Sequence, residues 1–179
     1  YQNINWRENF GMGWKITTGL SFSTNKDDMI NELQDANNQK QVITNPSFYA
    51  FKNFKLNNKA QYAQARFVLD KKLNGLNVIR FGSDYFYSKE KSTYTLFDGT
   101  SFAEAVTDNL FSVFSEADIF ITNSLAAKIG GRVEHSQVVN KWNVAPRVSV
   151  AYKFKDNSQA SFAYGLFYQN PERKYLPTV

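Results

Sequence analysis

Apolar and polar residues alternate with a period of two along most of this chain. The clearest run is 14–22, where Trp14, Ile16, Thr18, Leu20 and Phe22 share one side and Lys15, Thr17, Gly19 and Ser21 the other. Successive side chains of a β-strand point to opposite faces, so this run predicts a strand apolar on one face and polar on the other. At 125–135 the pattern returns, with Leu125, Ala127, Ile129 and Val133 opposed to Lys128, Arg132 and Glu134. It recurs at 147–154 and 159–169, and more weakly at 60–70, 76–88 and 110–121. With a partial strand at 1–9, the count is seven to eight.

The connections separate into two kinds. Residues 10–13, 71–75, 122–124 and 155–158 form short turns rich in Gly, Asn, Asp and Ser. Between them lie longer links, read as 25–58, 89–109 and 136–145. In an antiparallel meander, alternate connections lie at opposite ends of the sheet, so one end carries tight turns and the other long loops. The strands read as about 9 to 12 residues, against a soluble mode of about 5 to 6, and a membrane-crossing strand needs about 9 to 11. Trp14, Tyr85, Tyr87, Phe154 and Tyr168 fall near strand ends, as interfacial aromatics would. The expected fold is all-β, an antiparallel up-and-down meander of about seven to eight long strands, part of a transmembrane β-barrel. A soluble β-sandwich with a strongly amphipathic sheet is the alternative.

Composition narrows the classes further. The chain has 179 residues, 42% hydrophobic and 16% aromatic, yet its mean hydropathy is only −0.47. Alternation reconciles the two, and no window is apolar enough for a spanning helix. With no cysteine there is no disulfide scaffold, thiolate metal site or Cys nucleophile. The net charge is +5, but no basic run exceeds two residues, so the concentrated patch that nucleic acid requires is missing. The opening Tyr1-Gln2-Asn3-Ile4-Asn5 is followed by no signal-like segment, and a piece of a longer chain is expected.

In a bilayer the apolar faces must look out at lipid, and all backbone groups must pair strand to strand. Lys15, Arg66, Asp84, Glu116, Asp118, Lys128, Arg132, Glu134, Arg147 and Lys153 then face the lumen. Eight strands could close a small barrel. Against that stand the long first loop, the polar segment 170–179 with Pro171 and Pro177, and the ending Thr178-Val179, which read as a meander cut short.

Several stretches resemble the TonB-dependent outer-membrane receptors, in particular those of Bacteroidota. LAAKIGGRVEH at 125–135 resembles the family's Leu-x-Gly-x-Arg-aromatic-Glu strand, with Val133 at the aromatic position. NVAPRVSVAY at 143–152 is similar to the following Asn-Pro-Arg-x-Ser-x-x-Tyr strand, with Val144 and Ala145 inserted. AYGLFYQNPERKYL at 163–176 resembles the Tyr-Gly-x-Phe-x-Gln-x-Pro strand end, and WKITTGLSFSTNKDD at 14–28 an earlier strand. The resemblance implies a plugged barrel of about 22 strands, of which 1–179 is a partial barrel domain without the plug. It further implies import of a scarce solute such as siderophore-iron, cobalamin or a glycan. The implied partners are the outer-membrane bilayer, the remaining barrel and plug, TonB through that plug, and a surface lipoprotein where one caps the barrel. A complete eight-stranded barrel with a structural or adhesin role, and a soluble sugar-binding sandwich, stay open.

Site candidates follow from parity. Glu116, Asp118, Lys128, Arg132, Glu134 and Arg147 form an expected lumen-facing charged network. It serves either to fix barrel shape or to meet the plug or substrate path through the charge-assisted pairs that Arg favours. Phe48, Tyr49, Phe51, Tyr94 and Phe97, with Phe54 and Phe102, are expected on extracellular loops, as ligand contacts or as loop-on-loop packing. Residues 25–38 read as a loop with a short helix capped by Asp27 or Asp28 and carrying Ile30 and Leu33. Asp27, Asp28, Glu32 and Asp35 do not have calcium-loop spacing. His135 is the only histidine, so no multi-His metal site is expected, nor any catalytic residue or cofactor. Gly130 and Gly131 lack a phosphate-loop context and fit a close backbone approach or a bulge.

Overall fold

A computed structural model describes residues 1–41, 50–156 and 158–170. Its alternating segments become eight strands: β1 (Gln2–Gly11), β2 (Trp14–Asn31), β3 (Phe54–Lys72), β4 (Val78–Thr95), β5 (Ser101–Phe120), β6 (Leu125–Ser136), β7 (Lys141–Lys153) and β8 (Gln159–Gly165). Each pairs antiparallel with its sequence neighbour, and the order in the sheet is the order in the chain. β1 and β8 are not partners, so the sheet is an open meander with two edges. Among the described residues there is no α-helix, only a 3-10 turn at Ala50–Lys52.

Register makes the faces explicit, because directly paired residues share a side. One face carries Trp14, Ile16, Leu20 and Phe22 of β2, Phe67 and Leu69 of β3, and Phe81 and Tyr85 of β4. It continues through Phe111 and Val113 of β5, Ile129 and Val133 of β6, Val148 and Val150 of β7, and Phe162 and Tyr164 of β8. Most of these side chains are exposed. The buried strand residues, Ala60, Val68, Asp70, Asp84, Ser88, Ser112, Ser136 and Ala145, all lie on the other face. A single sheet crowds side chains only where it curves inward. The polar face is therefore concave and the apolar face convex, as a barrel wall requires.

The short connections 12–13, 73–77, 121–124 and 154–158 gather at one end. The other end differs from the sequence expectation. β2 to β5 are 18, 19, 18 and 20 residues long. The links read as 25–58, 89–109 and 136–145 shrink to 32–53, 96–100 and 137–140. The helix expected within 25–38 does not form. Asp27 pairs with Asn58 and Asp28 with Asn57 in the β2–β3 ladder. The physical reason is that the apolar belt, about nine residues per strand, ends near Phe22, Ala63 and Tyr87. Past it the convex face turns polar and the concave face mixes polar and apolar residues, so alternation fades while hydrogen-bonded pairing continues. Turn-prone Asn and Asp then look like a loop.

Two local features set strand geometry. Gly11, Met12 and Gly13 all have positive φ in the β1–β2 turn, and a Cβ at Gly13 would lie 2.7 Å from the Lys72 carbonyl oxygen. Pro146, inside β7, accepts a hydrogen bond from the Leu166 N–H but has none to return. The β7–β8 ladder ends beside it, at Arg147 and Gly165.

Candidate functional site

Charged side chains on the concave face line up because pairing puts them in one row. Lys15, Asp70, Arg80 and Glu116 are successive partners across β2 to β5. Lys15 Nζ is 2.8 Å from Asp70 Oδ2, and Arg80 Nε donates to Asp70 Oδ1 at 2.7 Å. Arg80 Nη1 lies 3.7 Å from Glu116 Oε2, and Arg147 Nη1 donates to Glu116 Oε1 at 3.2 Å. Arg147 is on β7, two strands from Glu116. It reaches across because the intervening partner is Gly130, where a Cβ would lie 2.8 Å from both Glu116 Cγ and the Ser115 carbonyl oxygen. Gly130 thus serves close approach. Its pairing is regular, without a bulge, and Gly131 has open space where a Cβ would stand.

A second cluster lies toward the other end of the same face. Asp84 Oδ2 accepts from Arg132 Nη1 at 2.9 Å, and Arg66 Nε is 3.6 Å from Asp84 Oδ1. Arg132 Nε also donates to Glu134 at 3.3 Å. Between the clusters the Phe114 ring lies over Gly82, filling the space a Cβ would take, with the Arg66 guanidinium 5.8 Å from the ring centre. Lys128 and Asp118 form a separate pair at 3.1 Å.

One design recurs. Asp70, Asp84 and Glu116 sit low on the sheet and each meets two cations, while the longer Arg and Lys arms lie over them. The Asp84 side chain is only 10% exposed against 25% for Arg132. Short carboxylates cannot leave the sheet surface, whereas guanidiniums can bridge strands and still present N–H groups on the concave side. The Ser112 hydroxyl, buried beside this cluster, has no hydrogen-bond partner among the described residues. Among the described residues no group of three or more His, Asp or Glu could hold a metal.

The six charged residues expected from sequence all lie on the concave face, as three pairs: Glu116–Arg147, Asp118–Lys128 and Arg132–Glu134. What joins them lies partly outside the set expected from sequence. Asp70 and Arg80 link the first row, and Asp84 is the main partner of Arg132. The signal for Asp70 and Arg80 was parity in the weakly alternating 60–70 and 76–88, where Lys71-Lys72 and Gly82 blur the pattern.

At the far end, Phe51 and Phe97 meet edge to face at 5.5 Å between ring centres, and Tyr94 stacks on Phe102 at 5.4 Å. Phe54, Tyr94 and Phe102 are strand residues here, not loop residues. Phe48 and Tyr49 lie outside the described residues. Asn53 ties the 32–41 segment down: its Oδ1 accepts from Leu33 N–H at 2.6 Å and its Nδ2 donates to the Gln41 carbonyl at 3.1 Å. Asp35 closes that segment's turn. The backbone N–H of Gln39, then that of Asn37, hold its carboxyl below the ordinary aspartate value. His135 faces outward, its ring 4.8 Å from that of Trp142.

A family model described as TonB dependent receptor-like, beta-barrel, matches residues 1–176. No curated protein and no solved structure matches the chain.

Proposed function

This chain belongs to the TonB-dependent receptor β-barrel family, and we propose that it contributes eight wall strands to a larger plugged barrel importing a scarce solute. Its location is the bacterial outer membrane, and its general role is that of a transport receptor. The family works by transport, and we extend to this chain the absence of any catalytic step. The observation that carries the reading is the sheet itself: apolar on its convex face, ion-paired on its concave face, and open at both edges. Open edges in hydrocarbon would leave backbone groups unpaired at several kcal/mol each. Strands beyond β1 and β8 are what this wall needs.

The concave ladder is the surface that a plug would meet. Its carboxylates sit low on the sheet and each is shared between two cations, so the ladder holds the wall's shape across strands and still offers guanidinium N–H groups. Siderophore-iron, cobalamin and glycan fragments are the solute classes this reading admits, and energy would come through TonB acting on the plug. Motif resemblance favours a Bacteroidota-type receptor, for which a surface lipoprotein is a further partner.

The deciding experiment is the intact mass of the native protein, extracted from outer membranes in detergent and identified by peptides of this sequence. A mass several times 20.5 kDa supports the receptor. A mass near 20.5 kDa overturns it in favour of a small barrel. Uptake of labelled siderophore-iron, cobalamin and oligosaccharides in a deletion strain would then identify the solute, and loss of none of them would refute import.

A further inference from the structure

Beyond the apolar belt, strands β2 to β5 sort their charges by face. The concave side carries Asp27, Glu90, Glu104 and Asp108 and no lysine or arginine. The convex side carries Lys26, Lys55, Lys59, Lys89 and Lys91 against one carboxylate, Asp28. Lys26, Lys59 and Lys91 are direct cross-strand partners in a single row, and Lys89 stands in the neighbouring row on the belt side. Like charges placed opposite one another destabilise a sheet. Asp28 pairs with Lys26 at 2.7 Å and acts on Lys59 only through space, without forming an ion pair with it. Lys59, Lys89 and Lys91 are exposed and have no carboxylate within ion-pair distance among the described residues.

Height decides what this patch faces. Lys89 and Lys91 lie two and four residues past Tyr87, the last aromatic on the convex face of β4. That is about 7 and 14 Å along the strand, or roughly 5 and 10 Å above the hydrocarbon edge at a tilt near 45°. A headgroup layer occupies about 5 to 7 Å on each side of the core. Short turns mark the opposite end as periplasmic, so the lysines stand in and just above the headgroups of the outer leaflet. The patch is continuous with the lipid-facing belt and faces away from the lumen.

We propose that the convex row Lys26–Lys59–Lys91, with Lys89, is a binding site for the phosphate groups of an outer-leaflet glycolipid. The anion would sit between lysines that otherwise repel, anchoring the receptor and setting its depth. The site rests on the outer-membrane reading above, but its test does not depend on transport.

The test uses the full-length receptor in detergent, freed of bound glycolipid, titrated with diphosphoryl lipid A in the same detergent and read by native mass spectrometry. The wild type should bind. At about fivefold per lysine near an anionic surface, the triple variant Lys59→Gln, Lys89→Gln, Lys91→Gln should bind roughly a hundredfold more weakly. The corresponding triple Arg variant should retain binding, and Lys71→Gln with Lys155→Gln at the short-turn end should change nothing. Equal binding by the Gln triple variant overturns the proposal, as does equal binding of dephosphorylated lipid A. Inorganic phosphate or an acidic peptide bound as tightly as lipid A also overturns it, pointing to a free-anion site or a protein partner. Failure of lipid A binding in a protein that fractionates with the outer membrane refutes this site alone. Fractionation elsewhere refutes the receptor reading.

Discussion

Gly82 and Gly130 show how single residues shape the concave face. Each occupies a position where atoms of the neighbouring strand take the space a Cβ would fill: the Phe114 ring at one, the Glu116 side chain and the Ser115 backbone carbonyl at the other. At Gly130 the consequence is electrostatic, because its bare backbone lets Arg147 of β7 reach Glu116 of β5. Gly130→Leu should therefore both overpack the sheet, at about 1 to 3 kcal/mol, and break that bridge. Arg147→Gln should break the bridge alone. The expected order of detergent unfolding midpoints is wild type, Arg147→Gln, then Gly130→Leu, and a Gly130→Leu midpoint equal to wild type would refute the close-approach role. Alternation in the sequence put Glu116, Arg132 and Arg147 on one face, the concave one in the structure. It could not reveal that a glycine joins two of them, because that depends on register between strands distant in the chain.

At the scale of elements, strand length separates what lipid demands from what pairing permits. The apolar belt of about nine residues matches a bilayer crossing, and the sequence expectation of strand length was in effect a measurement of that belt. β2 to β5 continue well beyond it, because backbone hydrogen bonding across a register such as Lys26–Lys59–Lys91 needs no apolar side chain. The structure thus has a projecting sheet where long loops were expected. With no cysteine among residues 1–179, and any elsewhere in the receptor replaced by serine, labelling can test this directly. A cysteine at Thr93 should react with an impermeant maleimide added to whole cells, and one at Phe81 should not. A cysteine at Asn74, in the turn at the other end, should react only after the outer membrane is opened. Reaction of the Phe81 variant from outside would refute the assigned height.

For the whole molecule, the distribution of burial inverts that of a soluble protein. Large apolar residues such as Leu20, Phe67, Phe81, Ile129 and Phe162 are exposed, while Ser88, Ser112 and Ser136 are fully buried. An exposed apolar face of this extent, with two unpaired strand edges, is an aggregation surface in water. Residues 1–179 produced alone without detergent should accordingly sediment as aggregate. A soluble, monodisperse product would refute both the lipid-facing assignment and the open edges.

Within the apolar belt, strand identity and the face that each side chain takes were determined by the sequence alone. Each follows from a period of two, which is local and survives without knowledge of any partner. The motif order from 125 to 176 carried the family as well. Tertiary structure decided the rest: where polar strands end, which way the sheet curves, that Asp70, Arg80 and Asp84 link separate charge pairs, and that lysines from three strands fall in one outward row. These depend on register and curvature, which bring together residues tens of positions apart. No local pattern records such meetings.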